Sequence, residues 1–233
     1  MTNPDPVQEL KRLAAEKAVE FVRDGMVVGL GTGSTAKLAI DAIGRRLREE
    51  GLKIIGIPTS EASAAQALRL NIPLADFATI DRIDLTIDGA DAVRLGPLDL
   101  IKGLGGALLR EKIIASASAR MVVIVDDSKL AMPFGAKVPV PVEIVRFGWQ
   151  ATKRKLEALG ATTALRKAGN EEIFVTDGGN YIVDCSFGPI ADPAALDQAI
   201  RAIVGVIETG LFIGLATEVV VARNGGIELF GRG

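Results

Sequence analysis

Histidine is absent from the 233-residue sequence. Its absence removes the side chain that enzymes use most often as a general base near neutral pH. It also removes the imidazole ligands of most catalytic zinc sites. Acid–base chemistry in this chain must therefore depend on aspartate, glutamate and lysine, with hydroxyl groups and backbone amides in support.

Cysteine and aromatic residues are scarce as well. The single cysteine, Cys185, cannot form an internal disulfide, as expected for a protein of a reducing compartment. It lies in an alternating pattern typical of a strand, which favours a buried structural thiol over a nucleophile. Aromatic residues make up 4% of the chain and hydrophobic residues 48%. A core built from such small aliphatic side chains is typical of α/β proteins with buried parallel strands.

The sequence also lacks a large charge excess and a long apolar run. Its net charge of −2 argues against a nucleic-acid-binding surface, which requires a basic excess. The longest apolar stretch, LFIGLATEVVVA, contains Glu218 and is too short to cross a bilayer as a helix. The N-terminal segment MTNPDPVQELKRLAAEKA predicts a charged helix rather than a signal peptide. We therefore expect a cytoplasmic protein that binds neither nucleic acid nor membranes.

The first half of the chain alternates helix and strand patterns. Helices are predicted over Gln8–Val22, over Ser34–Glu49 and from PTSEAS to Arg69, with strands at MVVGL, KIIGI, Asp84–Ile87 and Met121–Val125. This alternation predicts βαβ units and a parallel sheet.

From about residue 132 the pattern changes. Strands are predicted at VPVEIV, ATTALR, EEIFV, YIVDCS and VGVIE, with helices over Trp149–Leu159 and after the N-cap Asp192. The order β-α-β-β-α-β is typical of ferredoxin-like folds. We therefore predict an α/β fold with two domains. They are a Rossmann-like parallel-sheet domain (residues 1–131 and 210–233) and a smaller ferredoxin-like α+β domain (residues 132–209).

A glycine loop, GTGSTA, follows the first predicted strand and opens a helix. It matches the dinucleotide-binding pattern G-x-G-x-x-A, but the second strand ends at IPTS without the acidic residue that holds a ribose. The Gly-Lys-Ser/Thr of a Walker loop is also missing. The loop is suited to a small anion such as a phosphate monoester, and a plain strand-to-helix turn is the alternative.

Two carboxylates stand in the motif DGAD, after a predicted buried strand. Asp88 and Asp91 are placed at the carboxyl end of that strand, where open α/β sheets bind ligands, and Gly89 permits a sharp turn. The pair could hold sugar hydroxyls or a divalent metal. The metal is disfavoured because no further ligand stands at suitable spacing. Solvated aspartates that cap a turn are the alternative.

Three further charged residues have a possible chemical role. Lys102 precedes a glycine turn and a predicted helix over Ala107–Ala115, a setting that can stabilise an oxyanion. Glu111 lies on that mostly apolar helix, where burial would make it a better general base, and a structural ion pair is the alternative. Lys129 follows the strand MVVIV and could bind phosphate.

Taken in order, these segments resemble type A ribose-5-phosphate isomerases. The resemblance covers essentially the whole length, and its matching segments are GLGTGSTA, PTS, DLTIDGADAV, IKGLGGALLREKIIA, VDDSKL, PVPVEI and GLF. One departure is Leu104, which stands in the middle of a segment that reads KGGG in the family.

The resemblance implies a set of functional residues. Catalytic roles would fall on Glu111, the proton acceptor, and on Asp88, Asp91 and Lys102. Substrate contacts would come from Thr32, Gly33, Ser34, Thr35, Asp88, Gly89, Ala90, Asp91, Lys102, Gly103, Leu104, Gly105 and Lys129. The implied reaction interconverts ribose 5-phosphate and ribulose 5-phosphate through an enediolate, in the non-oxidative pentose phosphate pathway. No metal or organic cofactor is expected, and we expect a homo-oligomer, either a dimer or a tetramer.

Two other functional classes use this fold or a related one. A non-catalytic sugar-phosphate sensor on the same fold would keep the phosphate loop but would not need Glu111. Such sensors are usually fused to a DNA-binding domain, for which the N-terminal segment is too short and too acidic. Amino-sugar deaminases and lactonases on related folds rely on histidine, which this chain lacks.

Overall fold

The structure is a computed structural model that describes residues 5–130 and 132–232. The first four residues of the charged N-terminal segment therefore lie outside the described residues, as does Ala131 at the predicted domain boundary. The chain divides into two compact units. The first comprises Met1–Ala90, Arg110–Lys129 and Leu215–Gly233, and the second comprises Asp91–Leu109 and Leu130–Gly214.

The regular elements follow the predicted alternation closely. The helices are α1 (Pro6–Val19), α2 (Ser34–Glu50), α3 (Glu61–Arg69), α4 (Leu108–Ser116), α5 (Trp149–Ala158) and α6 (Pro193–Arg201). The strands are β1 (Val27–Leu30), β2 (Ile55–Pro58), β3 (Leu85–Gly89), β4 (Ala92–Arg94), β5 (Asp99–Ile101), β6 (Met121–Asp126), β7 (Val140–Ile144), β8 (Thr162–Leu165), β9 (Tyr181–Ser186), β10 (Val206–Thr209), β11 (Leu211–Phe212), β12 (Glu218–Arg223) and β13 (Gly226–Gly231). Short 3₁₀ turns cover Asp127–Lys129 and Gly169–Glu171.

The first unit contains a six-stranded sheet in the order β13-β12-β6-β3-β1-β2. All neighbouring strands are parallel except β12 and β13. Strand β6 is buried along its whole length, as its apolar run MVVIV requires. Alanines on α1 (Ala14, Ala15 and Ala18) are fully buried in the same core, so small side chains allow this helix to approach the strands closely. The predicted α/β class with a parallel sheet is confirmed.

The sequence motifs lie together at the carboxyl ends of neighbouring parallel strands. Strand β3 pairs with β1 on one side and β6 on the other, all parallel, so their carboxyl ends lie at the same edge. The glycine loop follows β1, Asp88 lies near the carboxyl end of β3, and Lys129 lies in the 3₁₀ turn after β6. Three motifs far apart in sequence are therefore brought to one edge by strand pairing.

The second unit contains two antiparallel sheets. One has the order β10-β7-β9-β8 and is formed by the predicted succession β7-α5-β8-β9-α6-β10. Asp192 accepts a hydrogen bond from the Ala195 amide at 3.0 Å, so the predicted N-cap of α6 is confirmed. The other sheet, β11-β5-β4, includes residues of Asp91–Leu109, which the sequence-based division placed with the larger domain. The predicted domain division itself stays a prediction.

The predicted strand at EEIFV is wrong. Glu171 is the last residue of the 3₁₀ turn, and residues 172–175 follow as irregular chain, with one isolated bridge between Lys167 and Ile173. Ile173 and Val175 are 37% and 44% exposed, respectively. The alternating pattern is present, but this segment does not bury an apolar face against a sheet, and burial is what selects a strand.

Cys185 lies in β9 and is fully buried. Burial raises the pKa of its thiol to about 12, and the nearby carboxylate of Asp184 adds to the effect. The thiolate, which is the nucleophilic form, is therefore scarce at neutral pH. The interpretation of Cys185 as a structural thiol agrees with this environment.

Glu143 is a buried carboxyl group in β7 of the second unit. It is 1% exposed, and its Oε1 accepts hydrogen bonds from Thr176 Oγ1 and Asn180 Nδ2, both at 2.9 Å. Burial raises its pKa above the ordinary value of 4.5, and the charges of Asp177 and Glu208 act in the same direction, while the two hydrogen bonds oppose the shift. The folded protein therefore binds a proton here more tightly than the unfolded chain does.

This difference predicts a pH-dependent stability. The contribution of Glu143 is fully present below the unfolded pKa, about 4.5, and is lost as the pH rises through the raised folded pKa. Glu143→Gln removes the titration, so its free energy of unfolding should fall less than the parent's between pH 4.5 and pH 8. Urea unfolding at both pH values measures the difference. An equal fall in both proteins would contradict the prediction.

Candidate active site

The loop after β1 contains a cluster of hydroxyl groups. Thr32 lies at its centre, with its Oγ1 2.6 Å from Thr59 Oγ1, 2.8 Å from Ser60 Oγ and 3.2 Å from Ser63 Oγ. The three partners belong to the segment from β2 into α3, where the sequence reads PTSEAS. We define Thr32, Thr59, Ser60 and Ser63 as the hydroxyl cluster. It fixes the loop against the neighbouring strand connection.

The N-terminus of α2 is open to an anion. Its N-cap is Gly33, with φ of +106°, and none of the described side chains caps the helix there. The first amides of a helix lack internal partners and carry partial positive charge. The Nζ of Lys11, from α1, lies 3.0 Å from Ser34 Oγ, so a cation stands beside this helix end. The arrangement favours anion binding over a plain turn, and the sequence pattern did not indicate Lys11.

Asp88 is fully buried at the end of β3. Its Oδ1 accepts hydrogen bonds from the Thr32 amide at 3.1 Å and the Gly89 amide at 2.8 Å. A Cβ atom at Gly31 would lie 2.3 Å from the same oxygen and 2.6 Å from the Ile87 carbonyl. Residue 31 must therefore be glycine for Asp88 to join the two strand ends. A solvated aspartate, one alternative considered for this position, does not describe Asp88.

Lys129 ends the 3₁₀ turn that follows β6. Asp126, 2% exposed, is the last residue of β6 and accepts a hydrogen bond from the Ser128 amide at 3.1 Å. The capped turn places Lys129, which is half-buried, at the carboxyl edge of β6 beside β3. It follows the strand next to the one that ends in Asp88.

Glu111 lies in the first turns of α4 and is only 3% exposed. Its burial agrees with the sequence-based expectation. The adjacent Arg110 forms an ion pair with Glu61 at 2.7 Å. A carboxyl group removed from water in this way has the environment that enzymes use for a general base.

In the second unit, Asp91 fixes the loop that contains Leu104. The Leu104 amide donates a hydrogen bond to Asp91 Oδ2 at 2.9 Å. The Leu104 side chain is 44% exposed, and its backbone does not adopt a positive φ. A residue with a Cβ atom therefore fits at this position without backbone strain. The family that the sequence resembles has glycine here, in its KGGG segment.

Lys102 begins the same loop and is almost completely buried, with 2% exposure. Its Nζ lies 5.5 Å from the centre of the Phe212 ring, and its amide donates to the Gly210 carbonyl at 2.9 Å. Gly103 follows with φ of +103°, and a Cβ atom there would lie 2.7 Å from Leu108 Cβ. Glycine is therefore required at position 103 for both conformational and steric reasons.

Arg166 forms hydrogen bonds with backbone carbonyl groups of this loop. Its Nη1 donates to the carbonyl oxygens of Gly103 at 2.7 Å and Leu104 at 3.1 Å, while the guanidinium pairs with Asp184. Arg166 is a positioning residue that the sequence analysis missed. It lies more than 60 positions from the loop at the end of β8, and no local pattern connects the two.

Residues 5–130 and 132–232 contain neither a metal-binding cluster nor a membrane-spanning helix. No group of three or more His, Cys, Asp or Glu side chains in that part of the chain is arranged to hold a metal ion. No helix among the described residues is both long and apolar enough to cross a bilayer.

Comparison with known proteins places this geometry in a family. Residues 55–226 match the sequence model of ribose 5-phosphate isomerase A, also called phosphoriboisomerase A. The chain is 59% identical to the ribose-5-phosphate isomerase A of Gloeobacter violaceus over 94% of its own length and 95% of that protein. It is 53% identical to the Gluconobacter oxydans protein of the same name, over 94% of each chain.

Solved structures agree. The ribose 5-phosphate isomerase A of Methanocaldococcus jannaschii superposes with a TM-score of 0.92 at 39% identity, over 97% of this chain and 99% of that one. A D-ribose-5-phosphate isomerase solved with phospho-erythronic acid gives 0.94 at 38% identity, over 98% and 100%. The glycine loop, the DGAD carboxylates and the buried Glu111 thus stand on a backbone and a sequence that both match over nearly their whole length. The chain belongs to the ribose 5-phosphate isomerase A family.

Proposed function

We propose that this protein is an aldose–ketose isomerase that interconverts ribose 5-phosphate and ribulose 5-phosphate, a reaction of the pentose phosphate pathway. Family membership supports the reaction. The structural observation that carries the proposal is the burial of Glu111 in a chain without histidine. Isomerisation through an enediolate requires one base that moves a proton between adjacent carbons, and a buried carboxylate can do this.

The phosphate group is proposed to bind at the N-terminus of α2. Ser34 and Thr35 supply hydroxyls and amides there, and Lys129 supplies a second cation besides Lys11. Phosphate binding at a helix N-terminus uses the unpaired amides and the helix dipole together. The phosphate does not change charge during the reaction, so these contacts anchor the substrate rather than drive the chemistry.

The sugar must open from its ring form before reaction. We propose that Asp88 and Asp91 accept hydrogen bonds from its hydroxyl groups and assist the opening. Their geometry suits acceptors, since one oxygen of each already accepts from backbone amides that fix its orientation.

Proton transfer then follows in the open chain. The Glu111 carboxylate removes the proton from C2, the C2–H electrons form the C1–C2 double bond, and the π electrons of the C1=O bond move to O1, which gives an enediolate. Lys102 and backbone amides of its loop stabilise the negative oxygen. Glu111 returns the proton to C1, the hydroxyl proton on O2 is lost, and O1 is protonated, which gives the ketose. No electron leaves the substrate, so the step needs no redox cofactor.

We propose that the residues of the matching motifs contact the substrate. These are Thr32, Gly33, Ser34 and Thr35 after β1; Asp88, Gly89, Ala90 and Asp91 of DGAD; Lys102, Gly103, Leu104 and Gly105; and Lys129.

A direct assay tests the function. Purified protein incubated with ribose 5-phosphate should form the ketose, and the rate should be unchanged in excess chelator because no described acidic cluster is arranged to hold a metal. Loss of activity under chelator, restored by one divalent ion, would contradict the metal-free mechanism. Binding of ribose 5-phosphate without ketose formation would favour a sensor instead.

Lys129→Ala should separate binding from chemistry. The variant removes a charge proposed to contact the phosphate equally in the ground and transition states, so KM should rise about 10-fold or more while kcat changes little. Steady-state kinetics measure both values. Lys137→Ala, which removes an exposed lysine of the second unit, is the matched control and should leave both unchanged. A large fall in kcat with KM unaltered would place Lys129 at the reacting centre.

We also propose that the protein is a cytoplasmic homo-oligomer, in the simplest case a homodimer. Two large apolar side chains of the second unit, Phe147 and Val204, are 95% and 82% exposed. A backbone hydrogen bond of 2.9 Å from Val145 to Gly205 joins their two segments. Exposed apolar side chains grouped in this way are common at contacts between subunits.

A further inference from the structure

The first unit contains a cavity away from the strand ends that carry the catalytic motifs. Its volume is about 510 Å³, within the range of about 300–1,000 Å³ typical of small-molecule sites. It is formed where α2 ends, where α3 ends and just before β2 begins. Because the strands β1, β3 and β6 carry the catalytic motifs at their carboxyl ends, this cavity belongs to the opposite, amino-terminal end of the parallel sheet.

The lining combines cations with an apolar wall. Arg48 of α2, Lys53 before β2 and Arg69 of α3 contribute three positive charges, and no carboxylate is among the lining residues. The other lining residues are mainly aliphatic, namely Leu47, Leu52, Ile54, Leu70 and Pro73. The amide side chain of Asn71, also in the lining, can both donate and accept hydrogen bonds.

A structural role accounts for part of this charge. Arg48 and Arg69 lie in the last turns of α2 and α3, where cations stabilise the helix dipole, and Arg48 pairs with Glu49 at 2.6 Å. Each helix end carries only about half a negative charge, so the dipoles offset about one of the three cations. Lys53 is not in a helix, so the dipole does not explain it.

Lys53 and Arg69 are available to a ligand. Both are exposed, and no ion pair joins either to a carboxylate among residues 5–130 and 132–232. A phosphate monoester carries about 1.5 to 2 negative charges near neutral pH. The two or three cations of this lining therefore match its charge better than they match the single charge of a carboxylate. The aliphatic wall has no counterpart in a sugar, which presents hydroxyl groups.

We propose that this cavity is a second binding site, for a phosphate monoester that carries an apolar or aromatic group, such as a nucleoside monophosphate. The phosphate contacts Lys53 and Arg69, with Arg48 nearby, and the apolar group packs on the leucines and Ile54. The site differs from the proposed catalytic site in its ligand class, because the catalytic motifs offer hydroxyls and carboxylates for a sugar.

Adenosine 5′-monophosphate is a suitable probe. Calorimetric titration should be carried out in an equilibrated mixture of ribose 5-phosphate and ribulose 5-phosphate, which occupies the catalytic phosphate loop. The parent should bind the probe under these conditions. The charge-reversal variant Lys53→Glu/Arg69→Glu should bind it at least 10-fold more weakly. Arg154→Glu/Lys155→Glu changes the net charge equally at two exposed positions on α5 and should bind like the parent.

The outcomes are distinct. No binding to the parent, or equal binding to the parent and Lys53→Glu/Arg69→Glu, would overturn the proposal. Inorganic phosphate, which has no apolar group, should bind at least 10-fold more weakly than the probe. Equal affinity would contradict the proposal that the apolar wall contributes to binding. If the double reversal unfolds, Lys53→Ala and Arg69→Ala measured separately provide the same comparison. None of these variants alters a residue of the proposed catalytic site, so ketose formation by the unliganded variants reports the proposed function independently.

Discussion

Glu111→Gln is expected to lower kcat by about 10²–10⁴, the usual contribution of a positioned general base. The amide keeps the shape of the side chain but cannot take the proton from C2. No histidine exists to replace it. KM should change little, because the proposed phosphate and hydroxyl contacts come from other residues. Glu111 is 3% exposed, so bulk solvent cannot easily supply the missing base.

Exchange of the C2 proton with solvent provides an independent measurement. It should disappear together with turnover, since both require the same abstraction. Glu61→Gln is the matched control, because it makes the same carboxylate-to-amide change at an exposed ion pair with Arg110 and should retain parental kcat. A folded Glu111→Gln protein with kcat within about tenfold of the parent would mean that another group is the base. Asp88 would then be the next candidate.

Asp88→Ala is expected to have the second largest effect, on stability and activity together. Its Oδ1 accepts from the amides of Thr32 and Gly89, and the truncation removes this acceptor from both. The cost is about 1–3 kcal/mol for each amide left without an acceptor. kcat/KM should fall about 10- to 100-fold, because a hydrogen bond that involves a charged group contributes about 1.5–3 kcal/mol.

Asp88→Asn separates these two effects. Its side-chain carbonyl can still accept from both amides, so its free energy of unfolding should remain close to the parent's, while its activity falls because the negative charge is lost. Urea unfolding and steady-state kinetics on both variants provide the comparison. Equal destabilisation of the two variants would show that the charge of Asp88, rather than its acceptor geometry, joins the two strand ends.

Local patterns predicted the elements well because the determinants are local. The predicted helix Trp149–Leu159 is observed as α5 (Trp149–Ala158), and the apolar run MVVIV is the buried β6. The position of Asp88 at a strand end followed from the apolar residues before it and the glycine after it. The strand at EEIFV failed because alternation alone does not determine whether a segment finds a sheet to pair with.

Contacts between distant segments could not be predicted in the same way. Arg166 reaches the Gly103 carbonyl across 63 positions, and Lys11 reaches Ser34 from another helix. Both contacts depend on how the helices and strands pack. A single charged residue in a polar stretch gives no local pattern from which such a distant partner could be predicted. The PTS segment was noted for its lack of an acidic residue, as the start of a helix and as part of the resemblance, but not as a partner of Thr32. Its place in the hydroxyl cluster depends on the pairing of β1 with β2.

The hydroxyl cluster also determines where its hydrogen atoms point. Ser63 donates its hydroxyl hydrogen to the Gly31 carbonyl at 2.6 Å, and Thr59 donates to the Leu30 carbonyl at 3.0 Å. Ser60 donates to Ser63 Oγ at 3.0 Å. A hydroxyl group has one hydrogen to give, so these three residues have none left for Thr32.

The Thr32 hydroxyl must therefore give its own hydrogen inward, to the oxygens that surround it. Toward a ligand it presents lone pairs only. A phosphate dianion, which needs donors, gains nothing from this side chain, whereas a sugar hydroxyl can donate to it. The Thr32 side chain is thus polarised as an acceptor before any substrate arrives, and the donors for phosphate must come from the helix amides, Ser34, Thr35 and the lysines.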